Sequence, residues 1–308
     1  MKPNDFLNGH RCPICSGKNH SKAEDDLKIF LEEIGIKTVK KRFDLKYELD
    51  LYSEEYKIGI EYDGLYWHSD KFKDKKYHLD KLKYFNDAGI RVINIFEDEW
   101  LNKSDIVKNK IKNIFNKSDA ERVYARKCEI KEISAKKCNE FLDKYHIQGA
   151  DKAFKRIGLY YNNILVAAIS FCKVRISLGQ KNNNQVELSR FATACNVIGG
   201  FSKLLKYAIK TYGFTNIITY ADLRWSSKEK NVYIKNGFTE DHISEPNYWY
   251  CYNNLRYHRF NFKKSTLKTK FPDIYDEKLT EFQIMDKTKY SRIWDCGNIV
   301  YKMQIKKD

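Results

Sequence analysis

The chain has 308 residues, with 57 Lys and Arg against 41 Asp and Glu, a formal charge of +16. Hydrophobic residues make up 42% and aromatics 15%, with 14 Gly and 4 Pro. This is enough to build roughly two packed domains, and it excludes a wholly disordered chain. The charge suits a polyanionic partner, although a Lys-, Asn- and Ile-rich composition would produce part of it.

The first twenty residues are polar and irregular and hold "GHRCPICSGKNH". Cys12 and Cys15 have the spacing of a zinc knuckle, and His10 and His20 are the only further ligands nearby, so the segment offers half a Zn²⁺ site. The N-terminus has no apolar signal core, and no apolar run reaches the ~18 residues of a membrane span. With the other cysteines scattered, a reduced cytoplasmic setting is expected.

From Ser21, a plausible N-cap, "KAEDDLKIFLEEI" predicts a helix with Leu27, Phe30, Leu31 and Ile34 on one side and Gly35 as its stop. "YELDLY" and "KIGIEYDG" alternate and are linked by "SEEY", which predicts a hairpin. The two-residue period can then bring Asp50, Glu61 and Asp63 to one face. Three acids on one face repel unless a cation lies among them. Mg²⁺ (or Mn²⁺) on these three residues would serve phosphodiester chemistry, whereas a solvated polar face is the plain alternative. His68, just beyond, is a candidate acid or base.

Next, "KFKDKKYHLDKLKYFNDAG" predicts a basic helix ending at Gly89, and "IRVINIFEDEW" a strand closing on three acids. Together with the hairpin this is a right-handed crossover into a mixed sheet. Residues 101–119 read as a polar helix and linker.

A second α/β unit starts near Tyr124. "RIGLYYNNILVAAISF" is a hairpin turning at Asn162-Asn163, "SLGQKNNNQ" a polar loop and "VELSRFA" a strand. "GGFSKLLKYAIKTYG" is a helix entered through two glycines, and "FTNIITYADL" a buried strand. The stretch after Trp249 interleaves Arg256, His258, Arg259, Lys263, Lys264 and Lys268 with aromatic rings, a pattern suited to nucleic acid or to a basic helix with one packed face. "YSRIWDCGNIVYKM" predicts a closing strand pair.

"ELDLYSEEYKIGIEYDGLYWH" resembles the core of the very-short-patch-repair endonucleases and related homing endonucleases of the PD-(D/E)xK superfamily, over residues 22 to 100. The resemblance implies that Glu24 is the first-helix acid, Asp50 the metal-binding aspartate, and Gly64, Trp67 and His68 the Gly-x-x-Trp-His residues. It departs from the family at Asp63, where the repair enzymes carry histidine, and at Glu61, where they carry an apolar residue. The superfamily's lysine two residues after the acid is also missing. His78 and Lys81 on the next helix are secondary candidates for phosphate contact. The Cys12-Cys15 segment is similar to the second half of zinc ribbons that precede such cores.

The stretch from Val186 to Ser226 is similar to the core of the GNAT acetyltransferase fold, and "YIKNGF" resembles its late helix-to-strand turn. Of the family's pyrophosphate-loop pattern only Gly199 fits. Asn196 replaces Gln or Arg and Phe201 stands at the last small position, so acetyl-CoA is not expected.

The expectation is an α/β (α+β) chain with a zinc-ribbon-like segment over 1–20, a nuclease unit over 21–119 and a GNAT-like unit over 120–308 that supplies double-stranded DNA affinity. The expected activity is that of a Mg²⁺-dependent DNA endonuclease of homing type. The alternatives are a GNAT-type transferase acting on DNA or protein, and an inactive DNA-binding protein.

Overall fold

The computed structural model describes residues 22–43, 46–174, 185–227 and 231–305. Cys12, Cys15, His10, His20, the Ser21 cap and most of the "SLGQKNNNQ" loop lie outside them. The fold is α/β, with helices packed on mixed sheets.

Helix α1 (Lys22–Glu33) buries Leu27, Phe30 and Leu31. Gly35, at φ +76°, ends it, with the Ile36 N–H closing back on the Leu31 carbonyl. Strands β1 (Val39–Phe43), β2 (Tyr47–Ser53), β3 (Ile58–Asp63) and β4 (Arg91–Phe96) form one sheet in that order. The hairpin pairs Leu51 with Ile60. β3 and β4 run parallel, Ile58 beside Arg91 through Asp63 beside Phe96, with helix α2 (Tyr77–Asp87) crossing over. β3 is central, and all six of its residues are buried.

Two expectations change here. The helix predicted from Lys71 begins only at Tyr77, because residues 64–76 run as turns. Glu97, Asp98 and Glu99 form the first turn of a short helix α3 (Glu97–Asn102), where acids favour the helix N-terminus. Helix α4 (Ser104–Ile114) follows.

The second unit adds β5 (Arg122–Tyr124), β6 (Glu129–Glu132), helix α5 (Ala135–Tyr145), β7 (Lys155–Tyr161), β8 (Ile164–Lys173), β9 (Gln185–Thr193), β10 (Asn196–Ile198), helix α6 (Gly200–Tyr212) and β11 (Asn216–Asp222). Beyond these lie β12 (Thr239–Ile243), β13 (Tyr248–Tyr252), β14 (Leu255–His258), helices α7 (Lys264–Lys270) and α8 (Glu281–Asp286), β15 (Ser291–Trp294) and β16 (Asn298–Gln304). A seven-stranded sheet runs β12-β16-β11-β9-β8-β7-β6, and β14-β13-β15 makes a smaller one. The β7–β8 hairpin turns at Asn162 and Asn163, both at positive φ, as a tight two-residue hairpin requires.

The predicted closing pair is not a pair. β15 joins the small sheet and β16 the large one. Between them Gly297, at φ +80°, lets the chain change sheets where an added Cβ would lie 2.3 Å from the Ser244 carbonyl oxygen.

The two units share their interiors. Leu79 and Leu82 of α2 pack in the core of the large sheet, and Ile147 and Trp225 pack in that of the first sheet. Leu65 and Phe96 meet Cys251 and Ile293 in a further cluster.

Candidate active site and metal-ligand cluster

The β2–β3 ladder is completed by side chains. Beyond the Leu51–Ile60 pair, the Glu61 carboxylate accepts from the Asp50 N–H at 3.2 Å, and the Asp50 carboxylate accepts from the Tyr62 N–H at 3.2 Å. The alternation that put both acids on one face therefore holds. The face is not solvated, since Glu61 is 1% exposed and Asp63 fully buried.

Lys81 closes this pair from α2. Its ammonium donates to Glu61 Oε2, one turn along the helix from His78. A lysine twenty residues further along the chain thus stands against the acid, in place of the superfamily's lysine two residues on. Burial and the neighbouring Asp50 push the Glu61 carboxyl up to about 8. Burial opposes the charge on Lys81, but Glu61 and Asp50 outweigh it and raise its pKa. Asp50 is also raised, by burial and by Glu24, against the pull of Lys81. Glu24 reaches the cluster through Lys40, whose ammonium lies 3.7 Å from Glu24, 3.4 Å from Glu48 and 3.8 Å from Asp50. Asp50, Glu61, His68, Lys81, Tyr77 and Lys73 line a cleft of about 310 Å³.

Asp63 parts company with the other two acids. Asn94 on β4 donates to its Oδ2 at 3.0 Å. Its Oδ1 faces His68 Nδ1 at 3.0 Å and His78 Nε2 at 3.5 Å. The two rings stack with centroids 5.2 Å apart, and their facing nitrogens are 2.9 Å apart. Burial would raise the Asp63 pKa, but His78 and His68 hold it well below the ordinary range. Nothing in the sequence pattern joined His78 to Asp63. The one hint was that His78 and Lys81 stand three apart on a helix, hence on one face.

The loop between β3 and α2 is pinned at both ends. Glu97 accepts from the Leu65 N–H at 2.9 Å, and Asp70 accepts from the Arg292 N–H and Nε at 2.9 and 2.7 Å. Held between these points, Tyr66, Trp67 and Phe72 stand out exposed with ring centroids 5.0 to 5.2 Å apart.

The basic tail divides. Arg256, half-buried, donates to Asp98 at 2.7 Å and Glu99 at 2.8 Å and lies over Phe96. It is therefore spent on the interior. His258 accepts from the Phe260 N–H at 3.2 Å as the cap of a short helical turn, and Arg259 lies over Tyr248 and Phe260. Lys264 donates to the Glu277 carbonyl, whereas Lys263 and Lys268 are exposed.

In the large sheet, β9 and β11 pair in parallel only from Asn216–Gln185 to Ile218–Glu187 and then part. Helix α6 is preceded by Gly199 at the N-cap, φ +76°, with no side-chain cap. Phe191, Phe201, Tyr233 and Tyr301 run in successive ring contact from β9 to β16.

No family model and no curated protein matches the chain. Among solved structures, the catalytic domain of the homing endonuclease I-Bth0305I is 29% identical over 32% of this chain and 96% of its own, with a TM-score of 0.28. Acetyltransferases match a larger share. An IAA acetyltransferase from Bacillus cereus is 15% identical over 58% of this chain and 99% of its own, TM-score 0.32. A Bacillus subtilis acetyltransferase solved in complex with CoA is 14% identical over 58% and 100%, TM-score 0.34.

Proposed function

We propose that the chain is a divalent-metal-dependent endonuclease that hydrolyses phosphodiester bonds in double-stranded DNA. The observation that carries this reading is the convergence of Asp50, Glu61 and Lys81 on one cleft of a strongly basic protein. The acid pair fits a cation, because the two interlocked carboxylates both have raised pKa values, Glu61 by burial and the neighbouring Asp50, Asp50 by burial and Glu24. Asp50 and Glu61 would hold Mg²⁺ or Mn²⁺, which when bound supplies neutralisation of phosphate charge.

The chain's own groups account for the rest. Lys81 keeps a positive charge at the cleft wall, where a phosphate oxygen would meet it. Glu24 sets Lys40 beside Asp50, fixing that carboxylate's orientation. The exposed rings of Tyr66, Trp67 and Phe72 offer stacking surface beside the cleft, and Lys263 and Lys268 offer phosphate contacts.

The test is plasmid cleavage by wild type and Asp50→Asn, with Mg²⁺, Mn²⁺ or EDTA, on plasmids that include DNA flanking the source gene. Metal-dependent nicking that vanishes in Asp50→Asn is expected. Absence of cleavage of every DNA by folded wild type would overturn the reading.

Acyl transfer by the second unit is the competing reading. The parting of β9 and β11 and the uncapped start of α6 favour it, since free amides at a helix N-terminus bind phosphate. Against it, Phe201 is itself buried at that helix start, in contact with Phe191 and Tyr233. A thermal shift with acetyl-CoA decides between them, and protection would raise this reading.

A further inference from the structure

We propose that Asp63 Oδ1, His68 Nδ1 and His78 Nε2 form a preorganised site for a borderline transition ion of the zinc class, separate from the acid pair Asp50 and Glu61. The three atoms are 2.9, 3.0 and 3.5 Å from one another. Ligands about 2.0–2.2 Å from one ion lie roughly 2.9–3.5 Å apart in octahedral or tetrahedral arrangement. The triad therefore already has the spacing of a coordination face.

Hydrogen bonding alone does not explain it. His68 Nδ1 faces both His78 Nε2 and Asp63 Oδ1, and one N–H cannot point along both directions. Asp63 Oδ1, on a side chain 1% exposed, accordingly has no hydrogen bond of acceptable geometry. A buried carboxylate oxygen left this way is costly, and a cation at the centre satisfies all three atoms at once.

The surroundings match a metal site beyond its ligands. Asn94 Nδ2 fixes the other oxygen of Asp63, and Cys296 Sγ lies 3.8 Å from Asn94 Oδ1, which sets the amide's orientation. Tyr77 makes T-shaped ring contacts with both imidazoles, and Phe96 with that of His78. Two imidazole nitrogens and one carboxylate favour zinc-class ions, whereas Mg²⁺ prefers an all-oxygen shell. Three protein ligands would leave a coordination position open, and His68, part-exposed, also lines the cleft. With its Nδ1 on an ion, His68 is a ligand and not a free base.

The test needs no DNA, so it stands or falls separately from the endonuclease reading. Full-length protein from zinc-supplemented growth is desalted and its metal content measured, alongside a Cys12→Ser/Cys15→Ser variant that removes the N-terminal thiols. The double variant is expected to keep one zinc per chain and, after exchange, to show the ligand-field spectrum of Co²⁺. Adding His78→Asn abolishes both. Adding His78→Cys keeps the ion and introduces a thiolate-to-cobalt band, so the test survives if His78→Asn fails to fold. Asn94→Leu should weaken Co²⁺ by about 10–100-fold. A folded double variant with no zinc and no cobalt spectrum, or an ion displaced by excess Mg²⁺, would overturn the proposal.

Discussion

Replacing Glu99 by Gln tests how the two units are held together. Glu99 is buried on α3 and accepts from Arg224 through both oxygens, each at 2.9 Å, and from Arg256 at 2.8 Å. Burial by itself would raise its pKa, but the two guanidinium groups overcome this and hold it down to about 2, from an ordinary 4.5. That depression corresponds to about 3 kcal/mol. Because the folded carboxylate keeps its charge where the unfolded one takes a proton, this stabilisation is complete above about 4.5. It is lost as pH falls toward about 2. The assay is urea unfolding of wild type and Glu99→Gln across acid pH, followed by tryptophan fluorescence and far-UV circular dichroism together. A gap of about 3 kcal/mol near neutral pH, closing over that acid window, is expected. A gap under about 1 kcal/mol, or one that does not change with pH, would mean that Asp222 and Asp98 alone satisfy the two arginines.

Three further outcomes follow from the same geometry. Asp295, buried and repelled by Asp222, is pushed up to about 6, so its charge is unfavourable near neutral pH. Asp295→Asn keeps an oxygen for the Asn247 and Gly297 N–H groups and should raise the urea midpoint at pH about 8, with the advantage fading below about 6. Trp67→Ala should leave the melting temperature unchanged, the ring being 65% exposed, while weakening DNA binding by ~1–3 kcal/mol in a fluorescence titration. Gly297→Ala should cost at least ~2 kcal/mol in the same unfolding assay, since both φ and the Ser244 carbonyl oppose a Cβ.

Short-range periodicity made the hairpin legible. A two-residue repeat fixes which side chains share a face, so Asp50 and Glu61 could be placed together before any sheet was known. The Asn162-Asn163 turn was readable for an equally local reason. What stayed hidden depends on distant partners. β1, "VKKRF", carries too little apolar alternation to announce a strand, and it forms because β2 offers a free edge. Lys81 and His78 reach their acids only through the crossover that lays α2 against β3. Arg256 read as a DNA contact because its acids, Asp98 and Glu99, lie more than 150 residues away. The segments before and after Gly297 looked like partners because both are strands; a single left-handed residue sends them to different sheets.

The shared interior limits how this protein can be cut and rejoined. A chain divided after residue 119 would strip Glu99 of both arginines and leave Leu79 and Leu82 facing water in one fragment, with Arg224 short of a counter-charge in the other. Swapping the second unit for a relative's would demand a matching pair of arginines and a matching apolar notch for α2. For the endonuclease proposed above, retargeting by module exchange is thereby disfavoured. New preferences would have to arise by substitutions in place, on the exposed rings and the exposed lysines Lys263 and Lys268 that no core depends on.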